Sequence, residues 1–112
     1  MIDRYKPDWD FNPIGIYLMS CYAYEKLNSS FISDRSFDML GVYIDTHWKE
    51  IHHRHKKYIN PAGLTATSSL TVGYHELPLI VLMATHRILK TDFTSSPIYE
   101  LAMREAMVRE FI

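Results

Sequence analysis

Residues 34–58 carry apolar side chains at the spacing of one face of an α-helix. Successive members of this set are 3, 4, 4, 3, 4 and 3 residues apart, a period that favours a helix over a β-strand. The members are Phe37, Leu40, Ile44, Trp48, Ile51, His55 and Tyr58. The pattern predicts a long helix over 34–58, and it makes an all-α fold the first expectation for this chain.

A helix preceding this one is predicted over 13–28. Asn12 can cap its first turn, and Pro13 suits the first helical position, where no backbone N–H is needed. Because only a few residues separate the two helices, 13–58 is expected to form an αα-hairpin.

Two more helices are predicted in the C-terminal half. Residues 77–90 are apolar on nearly every side, which predicts a buried, central helix. Ser96-Pro97 repeats the cap-and-proline start and predicts a helix over 97–111. Residues 60–76 should be an irregular connection or a short strand. The expected fold is a small all-α single domain of about four helices, a hairpin followed by a helical extension over 59–112.

Composition narrows the function classes. The chain has 112 residues, 47% of them hydrophobic, and a net charge of −1, which fits one domain and argues against bulk electrostatic binding to nucleic acid. Its single cysteine, Cys21, cannot form an intrachain disulfide and is expected to be a buried, inert thiol in a reducing compartment.

No membrane segment or signal peptide is expected. The start MIDRYKPDWDF lacks the apolar region of a signal peptide, and the longest apolar run, 77–85, is far short of the ~20 residues that span a bilayer. A cytoplasmic protein is therefore predicted. Residues 1–11 are expected to be an extended arm that docks through Trp9 and Phe11.

Two carboxylates near the start of the second helix need an explanation. Ser33 is a good N-cap, and Asp34 suits the positive end of the helix dipole. Asp38 follows one turn later on the same face, where like charges destabilise a helix by about 0.2–0.5 kcal/mol. In one interpretation the two aspartates bind a ligand. In the other their role is structural, and Asp38 forms an ion pair with Arg35 or with a distant lysine.

The stretch YAYEKLNSSFISDRSFDML (22–40) resembles the N-terminal helical-hairpin subdomain of NAD-dependent DNA ligases. That family carries a Tyr-His pair, a short turn and an Ile-x-Asp-x-x-Tyr-Asp stretch. The positions that match are Tyr24, Ile32, Asp34 and Asp38, whereas Glu25 stands in place of the histidine and Phe37 in place of the second tyrosine. Short stand-alone proteins encoded by phages are similar to this subdomain.

The resemblance implies a pocket for the nicotinamide mononucleotide (NMN) half of NAD. Its residues would be Tyr24, Glu25, Asp34, Phe37 and Asp38. The chemistry agrees, because the nicotinamide ring is a flat cation that aromatic faces attract by about 0.5–2 kcal/mol and carboxylates complement. The departure at Glu25 adds a negative charge that attracts the ring but repels a phosphate.

The chain has no Lys-x-Asp-Gly motif, and ligases need that lysine as the nucleophile that takes AMP. The missing motif predicts a protein that is not an enzyme. The resemblance implies a phage-encoded protein that binds NMN, NAD or an NAD-using protein. Such a protein could inhibit or modulate a host enzyme or an NAD-consuming defence system.

The segment HWKEIHHRHKK (47–57) offers a second candidate surface. Its cations, Lys49, Arg54, Lys56 and Lys57, are expected near the C-terminus of the second helix, where the dipole favours them. They form either a solvated helix end or a contact surface. As a contact surface, they would make the protein an interaction module that binds another protein without a small ligand. Alternatively, the protein would be an accessory protein that contacts nucleic acid. Self-association of the chain is a further possibility.

A metal site is not expected in this segment. Glu50 and His53 have the spacing used in di-iron helices, but such sites need a second helix of the same kind, and the sequence has none.

Overall fold

The computed structural model describes residues 12–64 and 70–111, and it confirms a small all-α domain. Its helices are α1 (Pro13–Lys26), α2 (Asp34–Thr46), α3 (Leu79–Leu89) and α4 (Tyr99–Phe111). In the part described, the nearest approach to a strand is an isolated antiparallel bridge between Ile59 and Leu70. The predicted N-terminal arm, with Trp9 and Phe11, lies outside the described residues. No helix in the described ranges is long and apolar enough to cross a bilayer.

The central helix is α1, whereas the sequence had predicted this role for α3. Every residue from 13 to 23 is buried, and α1 packs against both α2 and α3. In α3, Ile80 and Met83 are 58% and 48% exposed. The prediction was wrong because exposed apolar residues are common on protein surfaces, so an apolar sequence does not by itself mean burial on all sides.

The predicted second helix is correct only over its first half. It ends at Thr46, so the helical part of the hairpin covers 13–46 rather than 13–58. His47 ends it by donating to the Tyr43 carbonyl twice, from its backbone N–H at 3.0 Å and from ring Nδ1 at 2.9 Å.

Beyond that point the chain makes turns and a short 3₁₀ helix, Lys56–Tyr58. The apolar side chains of this segment, Trp48, Ile51 and Tyr58, nevertheless pack against the core. Successive turns can present side chains to a core at nearly helical spacing, and this is why the periodic pattern continued past the real helix end.

The connection predicted over 60–76 is irregular in its described residues, 60–64 and 70–76. These residues contain two 3₁₀ turns, Pro61–Gly63 and Tyr74–Glu76, and Leu70 forms the bridge to Ile59. α3 and α4 begin two residues later than predicted, at Leu79 and Tyr99.

A buried chain of polar groups connects α1 to α3 and to the segment before α4. The Tyr22 hydroxyl lies 2.8 Å from His86 Nε2 and 2.6 Å from Ser96 Oγ, and His86 Nδ1 lies 2.8 Å from Thr91 Oγ1. Tyr22 is fully buried and His86 is 3% exposed. Buried polar groups need such partners, since each unsatisfied one costs about 1–3 kcal/mol.

Gly41 marks a close approach between α2 and the connection. A Cβ at this position would lie 2.8 Å from the backbone carbonyl oxygen of Leu64. We expect Gly41→Ala to lower the free energy of unfolding by about 1–3 kcal/mol through overpacking, although helix propensity alone favours alanine by about 1 kcal/mol.

Urea denaturation measures this change. Val42→Ala is the matched control, because Val42 is 55% exposed on the same helix and its replacement creates no clash. A Gly41→Ala variant more stable than the wild type would show that Leu64 does not pack on α2.

Candidate functional site

A cavity of about 610 Å³ lies between α1, the first turns of α2 and the segment around Leu70 and Tyr74. All the pocket residues predicted from the ligase resemblance line it: Tyr24, Glu25, Asp34, Phe37 and Asp38. Its other lining residues were not predicted from the sequence: Tyr17, Ser20, Cys21, Ser30, Phe31, Ile32, Leu70 and Tyr74.

Local sequence signals bring the two halves of the cavity together. Tyr24 and Glu25 occupy the last turn of α1, and Asn28 then reverses the chain in the left-handed region at φ 50°. Asparagine tolerates this conformation better than most residues. Ser33 Oγ accepts the Ser36 N–H at 3.1 Å and starts α2, so that Asp34 lies in its first turn and Asp38 one turn later.

Aromatic rings form much of the wall. Tyr17 and Phe37 are stacked, with ring centroids 5.1 Å apart and planes 15° from parallel. One face of Phe37 is therefore already covered by Tyr17, which the sequence analysis had not assigned to the site. Tyr17 lies seven residues before Tyr24, and this spacing on one helix face was the available signal. Tyr24 is 64% exposed, at the mouth of the cavity.

The charges that line the cavity are all negative. Glu25, Asp34 and Asp38 contribute carboxylates, and no lysine, arginine or histidine is among the lining residues that the structure describes. Asp34, Arg35 and Asp38 are all exposed, and the pairing of Asp38 with Arg35 considered from the sequence stays a prediction. The floor contains the buried side chains of Phe31 and Ile32. A neutral or cationic ligand suits this environment better than an anionic one.

Two titratable groups inside the cavity stay protonated at neutral pH. Burial raises the pKa of the Cys21 thiol to about 12, the hydrogen bond from Tyr17 opposes this, and Glu25 adds to it. Burial also raises the pKa of Tyr74, with smaller contributions from Cys21 and Glu25. The interior therefore offers a neutral thiol and a neutral phenol.

Cys21 should react slowly with alkylating agents, because the thiolate is the reactive form. We expect iodoacetamide at pH 8 to label the folded protein on the order of a thousandfold more slowly than a free thiol. Mass spectrometry of the intact protein measures the rate, and urea-unfolded protein is the control. Equal rates for the folded and unfolded chains would mean that Cys21 is open to solvent.

The predicted basic surface is divided in the structure. The surface was predicted from Lys49, Arg54, Lys56 and Lys57. Because α2 ends at Thr46, none of these four residues belongs to its last turn. Lys56 Nζ donates to the Trp48 carbonyl and lies 4.4 Å from the centroid of the Trp48 ring. Lys49 is exposed, apart from the others in the turn after α2.

Arg54 and Lys57 instead line a second, shallower depression of about 460 Å³. Arg109 of α4 joins them there, a residue that the sequence analysis had not connected with this segment.

The described residues contain no group of three or more His, Cys, Asp or Glu side chains placed to hold a metal ion. That the protein takes no metal stays a prediction.

Comparisons of this chain with models of protein families, with curated proteins and with solved structures found no match. The resemblance of roughly residues 13–57 to the ligase subdomain thus stays a prediction, and the motif in residues 22–40 carries it.

Proposed function

We propose that the cavity binds the nicotinamide end of NAD or NMN. One observation carries the proposal: the residues chosen from the sequence as a nicotinamide pocket all line the same cavity. The shared helix face of Asp34 and Asp38 follows from their spacing, but it did not by itself require Tyr24 and Glu25 of α1 to line the same cavity.

The chemistry of the lining supports a flat cation. Aromatic side chains and carboxylates surround a volume of about 610 Å³, within the usual range of about 300–1,000 Å³ for small-molecule sites. The oxidised nicotinamide ring is planar and positively charged. It can contact an aromatic face while Asp34 and Asp38 supply acceptors for the charge and the ribose hydroxyls. Ligand binding would also relieve the repulsion between these two carboxylates.

The phosphate of the ligand has to point away from the acidic lining. We therefore expect the ring to enter first and the phosphate to remain at the solvent-exposed mouth, near Tyr24. Lys26 is exposed, with Nζ 5.6 Å from the Tyr74 ring centroid, and offers a cation close to one wall.

The proposed protein is a non-catalytic, cytoplasmic binder. It lacks the ligase lysine motif, so it would hold the nucleotide without transferring AMP. If it is phage-encoded, the proposed role is to modulate a host enzyme or a defence system that uses NAD, by binding the nucleotide or the enzyme itself.

Calorimetric titration tests the proposal with NMN, NAD⁺ and NADH. We expect saturable binding of NMN and NAD⁺, with NADH about tenfold weaker because its reduced ring is neutral. It loses both the attraction of the two aspartates and a cation–π term of about 0.5–2 kcal/mol. The double variant Asp34→Asn, Asp38→Asn should lose this preference.

The double variant Asp45→Asn, Glu50→Gln is the matched control. It removes the same charge from exposed positions that do not line the cavity. Absence of NMN and NAD⁺ binding, or equal affinity for NAD⁺ and NADH, would overturn the proposal.

A further inference from the structure

The second depression, here called the basic groove, lies on a different part of the surface from the nicotinamide cavity. Three distant segments build it, and its lining residues are Arg54, His55, Lys57, Tyr58, Pro78, Leu79, Ala106 and Arg109. No aspartate or glutamate is among these lining residues. The groove is therefore positive on a chain whose net charge is −1.

Two of the cationic side chains are held by contacts of their own. Arg109 Nη1 donates to the Glu76 carbonyl at 2.8 Å, and Lys57 Nζ lies 5.4 Å from the Tyr58 ring centroid. Thr71 fixes the backbone beneath them, because its Oγ1 donates to the Lys57 carbonyl at 3.0 Å. Groups that are already ordered lose less entropy when they bind a partner.

Neither the His55 ring nor the N-terminus of α3 reduces the positive charge of the groove. Burial and the neighbouring His53, Arg54 and Lys57 lower the pKa of His55, so at neutral pH this ring is uncharged. Leu79 is the first residue of α3, and the positive end of the helix dipole therefore adds to the potential.

We propose that the basic groove docks an acidic peptide segment of a partner protein. Carboxylates of the peptide pair with Arg54, Lys57 and Arg109 around the edge. An apolar side chain of the peptide packs on the apolar lining residues, which are Tyr58, Pro78, Leu79 and Ala106.

The lining favours a peptide over a nucleic acid. Single strands bind through a track of phosphate contacts with aromatic rings on which successive bases stack. The groove has one tyrosine, and Lys57 already lies against its ring. Proline, leucine and alanine fit an aliphatic side chain better than they fit a stack of bases.

Fluorescence anisotropy provides the test. The probe is a short fluorescein-labelled peptide of glutamates with leucines at its centre. Three competitors accompany it: a peptide with glutamine for every glutamate, a peptide with serine for every leucine, and an oligothymidine of equal charge. We expect the probe to bind, and each substituted peptide to compete about tenfold less well.

Variants locate the contact. The triple variant Arg54→Gln, Lys57→Gln, Arg109→Gln should weaken binding about tenfold or more, and the single variant Arg54→Gln, at an exposed position, should weaken it measurably. The matched control removes equal charge at exposed positions outside the groove, with Lys49→Gln, Arg87→Gln and Arg104→Gln, and should leave the affinity within about twofold.

Several results would overturn the proposal: no binding of the probe, tighter binding of oligothymidine, or equal losses in the groove and control variants. None of them bears on the nicotinamide cavity, which is tested separately by the nucleotide titrations.

Discussion

Replacing Tyr22 with alanine is expected to lower the free energy of unfolding by about 3–5 kcal/mol. Tyr22 is fully buried in the central helix, and its loss leaves a cavity among α1, α3 and the segment before α4. It also removes the hydroxyl that lies within hydrogen-bond distance of both His86 and Ser96. Because small domains are stable by only about 5–15 kcal/mol, this loss is a large fraction of the total free energy of unfolding.

Tyr22→Phe separates the hydroxyl from the ring. It keeps the packing but takes one partner from each of two buried polar groups, and we expect it to cost about 1–3 kcal/mol. Tyr24→Phe is the control, since Tyr24 is 64% exposed and its change should stay within about 0.5 kcal/mol. Urea denaturation gives all three values. A Tyr22→Phe variant as stable as the wild type would mean that water can replace the hydroxyl in the core.

Acidification should also destabilise the protein. Burial lowers the pKa of His86, with Asp92 acting in the opposite direction, and burial together with neighbouring cations lowers those of His53 and His55. In the folded state these rings stay neutral below pH 6.5, whereas the unfolded chain takes up protons there. Stability is thus at its full value above about pH 7 and falls as the pH drops through 6.5 towards the folded-state pKa values, by at most about 1.4 kcal/mol per pH unit for each histidine.

The variant His86→Gln tests the part of this effect that comes from the most deeply buried of the three histidines. It should be less stable than the wild type at pH 7, but its stability should depend less on pH between about 7 and 5. Asp92 does not interfere, because hydrogen bonds from Thr94 hold the pKa of its carboxyl below 3.8, outside this range. Stability curves in urea at several pH values measure the slope. An unchanged slope in His86→Gln would mean that His86 does not resist protonation in the folded protein.

The starts of α1 and α2 were predictable because their capping signals are local. Asn12 Oδ1 accepts the Gly15 N–H at 3.0 Å, and Ser33 caps α2 in the expected way. The end of α2 and the choice of the central helix were not predictable, since they depend on contacts between distant parts of the chain. Turns after Thr46 can bring Trp48 to the core as well as a helix can, and no local rule distinguishes the two.

In the candidate site, too, the residues close together in the sequence were predictable and the distant ones were not. Tyr24 and Asp38 belong to one short hairpin, so a motif read along the sequence could place them together. Leu70 and Tyr74 close the cavity, but they lie more than thirty residues after Asp38. No sequence motif connects them with the hairpin residues. Arg54 and Lys57 were predicted as part of a contact surface, but the groove that they form with Arg109 was not, because Arg109 lies more than fifty residues beyond Arg54.

The burial of α1 on all sides has a consequence for biosynthesis. α1 leaves the ribosome long before Leu79, the start of the helix that covers it, has been translated. During that interval the nascent chain exposes Ile14, Leu18 and Tyr22, which all end up at or near zero exposure. Such apolar surface on a growing chain promotes aggregation and attracts chaperones. A translation product that stops before α3 should therefore be a chaperone client and a target for proteolysis, not a smaller version of the same domain.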